Sequence, residues 1–136
     1  MARIHDVVFD CRHPASIARF WAGVLDDYEV APYDEAELAR LRELGITDTE
    51  DDPSVLVECP GRSPRLFFQV VPEQRTVKNR VHLDLHADSL SSELERLTAL
   101  GARVVAKYDS HVMLADPEGN EFCLSDGWGS QISEAG

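Results

Sequence analysis

Polar and apolar residues alternate most clearly where Val81, Leu83 and Leu85 interleave with His82, Asp84 and His86. A period of two belongs to a strand with one face on a core and the other toward something polar. The pattern then lengthens. Leu90, Leu94, Leu97 and Leu100 recur at helical spacing, with Asp88 or Ser89 placed to cap the helix and Gly101 to end it in a left-handed conformation. Three short strands follow, the last two joined by a tight turn at Asp116-Pro117-Glu118-Gly119-Asn120. The stretch from Asn79 to Leu124 thus predicts a βαβββ unit.

The first half carries the same order. Arg3 to Cys11 is rich in strand formers, Pro14 opens a helix, and Ile17, Phe20, Trp21, Val24 and Leu25 share one of its faces. Asp27 to Ala31 has room for a short strand. Asp34 and Glu37 then form a D-x-x-E capping box ahead of Leu38, Leu41 and Leu44, and Gly45 ends this inserted helix. An acidic, turn-like stretch from Thr47 to Pro53 precedes strands at Ser54 to Glu58 and Arg65 to Val71, and Pro72 to Lys78 connects the halves. Setting Ile4-His5 against Val81-His82 gives an internal repeat of about 77 residues. The predicted class is α+β, with two βαβββ modules whose curved mixed sheets form a cleft and whose helices cover the outer faces. Module one spans about 2–72, with its inserted helix at about 34–44, and module two about 79–126, within a single domain of 136 residues.

Composition narrows the function classes. A net charge of −12, from 25 acidic and 13 basic residues, repels phosphate backbones and anionic membranes. Eleven of those carboxylates lie between Asp26 and Asp52, where Arg40 and Arg42 alone offset them; they read as a solvated acidic face. Cys11, Cys59 and Cys123 are widely spaced and contain no C-x-x-C pair, so neither a disulfide framework nor a zinc knuckle is indicated. With no leader-like or membrane-spanning run, a soluble cytoplasmic protein is expected, with a frayed tail from Ser130 to Gly136. Phosphate-cradling glycine loops are absent, Gly119 being a hairpin residue.

The paired modules, with ASIARFWAGVL in the first helix, NRVHLDL opening the second module and DPEGNEFCL closing it, resemble the glyoxalase-like branch of the vicinal oxygen chelate superfamily. The insert from about Tyr33 to Pro53 lies outside the resemblance. That superfamily includes glyoxalase I, extradiol dioxygenases, fosfomycin-modifying enzymes, epimerases and metal-free bleomycin-binding proteins, so the resemblance implies a fold more strongly than a function. Its metal-dependent members hold a divalent ion on histidine nitrogens and carboxylates, and the ion binds neighbouring substrate oxygens and stabilises the charge that develops there.

Carried onto this chain, the resemblance implies zinc, nickel, manganese or iron on His82, on Gln69, on Cys123 where a family carboxylate would stand, and on His5 or Asp6. The register of the first strand decides between the last two. A gapless count sends Asp6, Val8 and Asp10 to the cleft and Val7, Phe9 and Cys11 to the core, whereas a bulge would restore His5. Glu121 shares the parity of Cys123, about 7 Å toward the turn, and is the candidate acid or base. Asp84, His86, Phe67, Val8, Asp10 and Trp128 are expected to line the ligand cleft. The reading is a glyoxalase-like protein for a small oxygen-rich molecule, possible as a metal-dependent lyase or isomerase or as a relative of the dioxygenases, and expected as a homodimer. Metal-free sequestration of an organic ligand, favoured as cationic by the acidity, and a non-catalytic dimeric scaffold are the alternatives.

Overall fold

The computed structural model describes residues 1–128, so the tail expected to fray from Ser130 lies outside the described residues. The chain divides into two compact units, Met1–Gln74 and a second beginning at Arg75. In the first, β1 is Asp6–Cys11, α1 Pro14–Val24, β2 Glu29–Val30, α2 Glu35–Glu43, β3 Ser54–Glu58 and β4 Arg65–Val70. In the second, β5 is Leu83–His86, α3 Leu90–Leu100, β6 Arg103–Lys107, β7 Val112–Ala115 and β8 Glu121–Ser125. Each unit is an α+β module with one open, mixed sheet, ordered β1-β4-β3-β2 and β5-β8-β7-β6. In both, the first strand runs parallel to the last.

The core of the first unit lies between α1 and its sheet. Pro14 sits at the helix start, where its missing N–H costs nothing. Ile17, Phe20, Trp21 and Val24 are buried, as are Val55 and Val57 on β3 and Leu66 and Phe68 on β4. Each such side chain contributes roughly 1.5–3 kcal/mol on leaving water. Phe9 stacks on Phe68 at 4.9 Å and meets Trp21 at 5.3 Å, which fixes the parity of β1: Phe9 inward, Val8 half exposed on the other side. In the second unit Leu97 of α3, Leu114, Phe122 and Leu124 are buried.

Several expectations need correction. The repeat is 76 residues and not 77: α1 begins at 14 and α3 at 90, and both run eleven residues. That offset sets Asp6 against His82. Val81 is exposed at 77% because the strand starts only at Leu83. Of the stripe on α3 only Leu97 is buried, and on α2 only Leu41, with Leu38 and Leu44 exposed. Both helices seat one central leucine and leave their ends to their caps. Val70 is half exposed at the end of β4. Asp34 accepts the Glu37 amide at 2.9 Å and Ser89 the Ser92 amide at 3.4 Å, so capping was legible in both cases. Among the described residues, no helix is long and apolar enough to cross a membrane.

Candidate functional site

In the second unit, parallel pairing of β5 with β8 sets Asp84 directly opposite Cys123. His82 stands two residues before Asp84 and therefore on the same face. One donor atom from each of His82, Asp84 and Cys123 lies within 4.8 Å of the other two, and His82 Nε2 is 3.3 Å from Asp84 Oδ1. Cys123 is fully buried, while the His82 and Asp84 side chains are 21% and 31% exposed, so the trio has a dry sulfur end and a wetter oxygen end.

The donor chemistry fits a zinc-type ion. Zinc takes thiolate sulfur at about 2.3 Å and imidazole or carboxylate atoms at about 2.0–2.2 Å, which sets neighbouring ligand atoms on the order of 3.5 Å apart. A small contraction of the trio reaches that spacing. One nitrogen, one oxygen and one sulfur make a borderline-soft set, better matched to zinc than to manganese or magnesium.

Glu121 stands two positions before Cys123 and is committed elsewhere. Its Oε1 takes the Lys78 ammonium at 3.2 Å and the Asn79 amide at 3.4 Å, while its own amide donates to Asn79 Oδ1 at 3.0 Å. Burial pulls its carboxyl upward, but Lys78, the Asn79 amide and Arg75 outweigh that, and the net shift is downward. A carboxylate held ionised in this way is a poor proton donor.

In the first unit Asp6, Val8 and Asp10 share a face with Phe67 and Gln69. Asp6 lies opposite Arg65 and is held by its Nε at 2.8 Å and Nη2 at 3.2 Å; the same guanidinium sits 5.3 Å from the Phe67 ring centroid. These bonds to Arg65, opposed by burial and aided by His5, hold the Asp6 carboxyl below its usual range. His5 precedes the strand with its side chain 77% exposed. Gln69 donates its amide nitrogen to Asp10 at 2.8 Å, which orients its carbonyl oxygen away from that contact. The structure thus places Asp6 on the sheet face and His5 at its edge.

His86 is exposed, 3.7 Å from Asp88. Trp128 donates its indole N–H to the Leu85 carbonyl at 2.7 Å and packs 5.6 Å from His111, so it is docked on β5 of its own unit. His111 escaped notice in the sequence. It is 2% exposed, stacked on Tyr108 at 4.8 Å, bonded through Nδ1 to the Ser110 hydroxyl at 2.8 Å, and its Nε2 has no hydrogen-bond partner.

A second feature that the sequence hid lies in the acidic insert. Asp52, read there as solvated, is 2% exposed. Its carboxylate accepts the Tyr33 hydroxyl at 2.6 Å, Arg40 Nη2 at 3.1 Å and the Ser54 amide at 3.0 Å. Burial, then the bond to Asp52, pushes the Tyr33 phenol well above its ordinary range. Arg40 also donates Nε to Glu37 at 2.6 Å. These groups wall a cavity of about 250 Å³ whose apolar side is Pro32, Leu56 and Phe67.

Residues 6–125 match the family described as a glyoxalase-like domain. Among curated proteins, none matches significantly. Of solved structures, the fosfomycin resistance protein FosX from Mesorhizobium loti superposes with a TM-score of 0.66 at 13% identity, over 94% of each chain. A glyoxalase/bleomycin resistance protein/dioxygenase family enzyme from Burkholderia phytofirmans gives 0.61 at 15% identity, covering 90% of this chain and 97% of that one. A mutant FosX from Listeria monocytogenes, solved with Mn(II) and 1S,2S-dihydroxypropylphosphonic acid, gives 0.61 at 10% identity over 93% and 90%. At these identities the likeness is one of fold.

Proposed function

Because the chain belongs to the glyoxalase-like domain family, we propose that it is a divalent-metal-dependent enzyme for a small oxygen-rich organic molecule, its metal held by His82, Asp84 and Cys123. The observation that carries the reading is the convergence of three donor atoms of different type within 4.8 Å on paired strands. When bound, such an ion polarises substrate oxygens and stabilises developing negative charge. The chain's own contributions are separable. Cys123 would bring a buried sulfur as thiolate to the ion, Asp84 would bring a carboxylate from the next strand, and His82 presents a ring nitrogen beside Asp84. Lyase or isomerase chemistry is the form of catalysis that fits such a set. Glu121, tied to Lys78 and the Asn79 amide and held ionised, serves as a positioning charge. The three cysteines form no disulfide among the described residues, in keeping with a reducing cytoplasm. A homodimer is the expected assembly, read by light scattering.

Elemental analysis tests the centre. The protein dialysed against zinc, nickel or manganese is expected to retain stoichiometric zinc in preference to manganese, and His82→Ala or Cys123→Ser to lose it. With cobalt as probe, a thiolate-to-metal absorption band should be present and vanish in Cys123→Ser. No retained metal under any of these conditions would overturn the reading.

A further inference from the structure

We propose that the cavity beneath α2 is a binding site for a small organic cation with an apolar body, of the protonated arylalkylamine class. It is built entirely within the first unit, shares no residue with His82, Asp84 or Cys123, and stands whether or not a metal binds.

Shape and charge both point to this class. The apolar side, from Pro32, Leu56 and Phe67, offers an aliphatic and aromatic surface, half buried where Leu56 and Phe67 line it, to a guest that fits in about 250 Å³. The opposite wall is polar, and its cation among the described residues, Arg40, is already spent. Arg40 is shared between Glu37 and Asp52, so one positive charge faces two negative ones. The bonding pattern decides what remains on offer. Asp52 is saturated by Tyr33, Arg40 and the Ser54 amide. The Tyr33 proton is committed to Asp52, which leaves its oxygen as an acceptor. Glu37 gives Oε2 to Arg40 and keeps Oε1 for another donor. A guest that donates hydrogen bonds and carries positive charge completes this wall, whereas an anion meets an excess of one negative charge in a half-enclosed site. Asp52, nearly inaccessible and bonded on both oxygens, holds Tyr33 and Arg40 in place, so the wall exists before any guest arrives.

Three probes of matched shape separate these terms: 2-phenylethylammonium, 2-phenylethanol and 3-phenylpropionate, titrated calorimetrically into the full chain with and without a chelator. The cation is expected to bind about tenfold tighter than the alcohol, as one charge-assisted hydrogen bond allows, and the propionate not at all. Glu37→Gln should bring the cation down to the level of the alcohol and leave the alcohol unchanged. Leu56→Trp, which fills the apolar side, should remove binding of both while the far-ultraviolet circular dichroism stays that of the parent. Chelator should change nothing, and that separates this site from the metal centre. Binding of the propionate as tightly as the cation, cation binding that survives both variants, or no binding of any probe at millimolar concentration would overturn the proposal.

Discussion

His111 shows what a single residue adds to the packing. Its ring is sandwiched between Tyr108 and Trp128 and its Nε2 faces no acceptor or donor, so folding strips water from that atom without replacing the lost bond. His111→Phe keeps the stack and removes the orphan; the Ser110 hydroxyl, on an exposed residue, turns to water. The variant is expected to be as stable as the parent or more so, by up to about 1 kcal/mol in urea denaturation. His111→Ala, which empties the sandwich, should cost about 2–4 kcal/mol. A parent more stable than the phenylalanine variant by as much would mean that Nε2 has a partner in solution. At this scale the sequence was legible where alternation ran through the body of a strand, and it failed at the strand's end, as at Val81. Parity put Asp6, Val8, Asp10, Phe67 and Gln69 on one sheet face, and it brought His82 to Cys123. Buried polar groups were not legible, because nothing in the local pattern tells a solvated aspartate such as Asp51 from Asp52, whose partners Tyr33 and Arg40 come from other segments.

Elements were read best from their ends. Gly101 closes α3 with φ of 121°, and a Cβ there would stand 3.3 Å from the Pro117 side chain. Gly101→Ala should therefore destabilise the protein by about 1–3 kcal/mol, measured by thermal or urea unfolding, whereas an unchanged midpoint would show that the turn relaxes freely. Asp34→Ala removes the α2 cap and should cost about 1 kcal/mol. It should also loosen the placement of Glu37 and Arg40, weakening 2-phenylethylammonium more than 2-phenylethanol. Helix interiors were read less well: the leucine stripes of α2 and α3 matched the helical period, yet each buries one leucine. Periodicity reports which residues share a face and is silent about how much of that face finds a partner. The same limit shifted the repeat by one residue, since Ile4-His5 matched Val81-His82 in composition while the two helices fixed the offset independently.

For the whole molecule, charge sets the response to pH. Asp6 and Glu93 are held below the usual carboxylate range, first by their bonds to Arg65 and Arg96, against burial. Glu121 ends lower although burial opposes it, and Tyr33 is raised, chiefly by burial. Lowered carboxyls contribute stability that is complete above about pH 4.5 and is lost as pH falls through their folded values. A raised phenol contributes stability that is complete below about pH 10 and is lost as pH climbs toward its folded value. Urea midpoints should therefore be lost at both extremes, with Arg65→Met flattening part of the acid limb and Tyr33→Phe the alkaline one. An alkaline limb unchanged in Tyr33→Phe would assign it to other groups. The strand order repeated in the two units has a consequence for descent. A duplicated module carries two copies of each position, so a substitution that would spoil both halves of a symmetric ancestor needs to be tolerated in only one. Here the first unit has an additional helix with a cavity beneath it, and the second has a thiol at the position opposite Asp84. The same strand order thus carries a different set of polar groups in each unit.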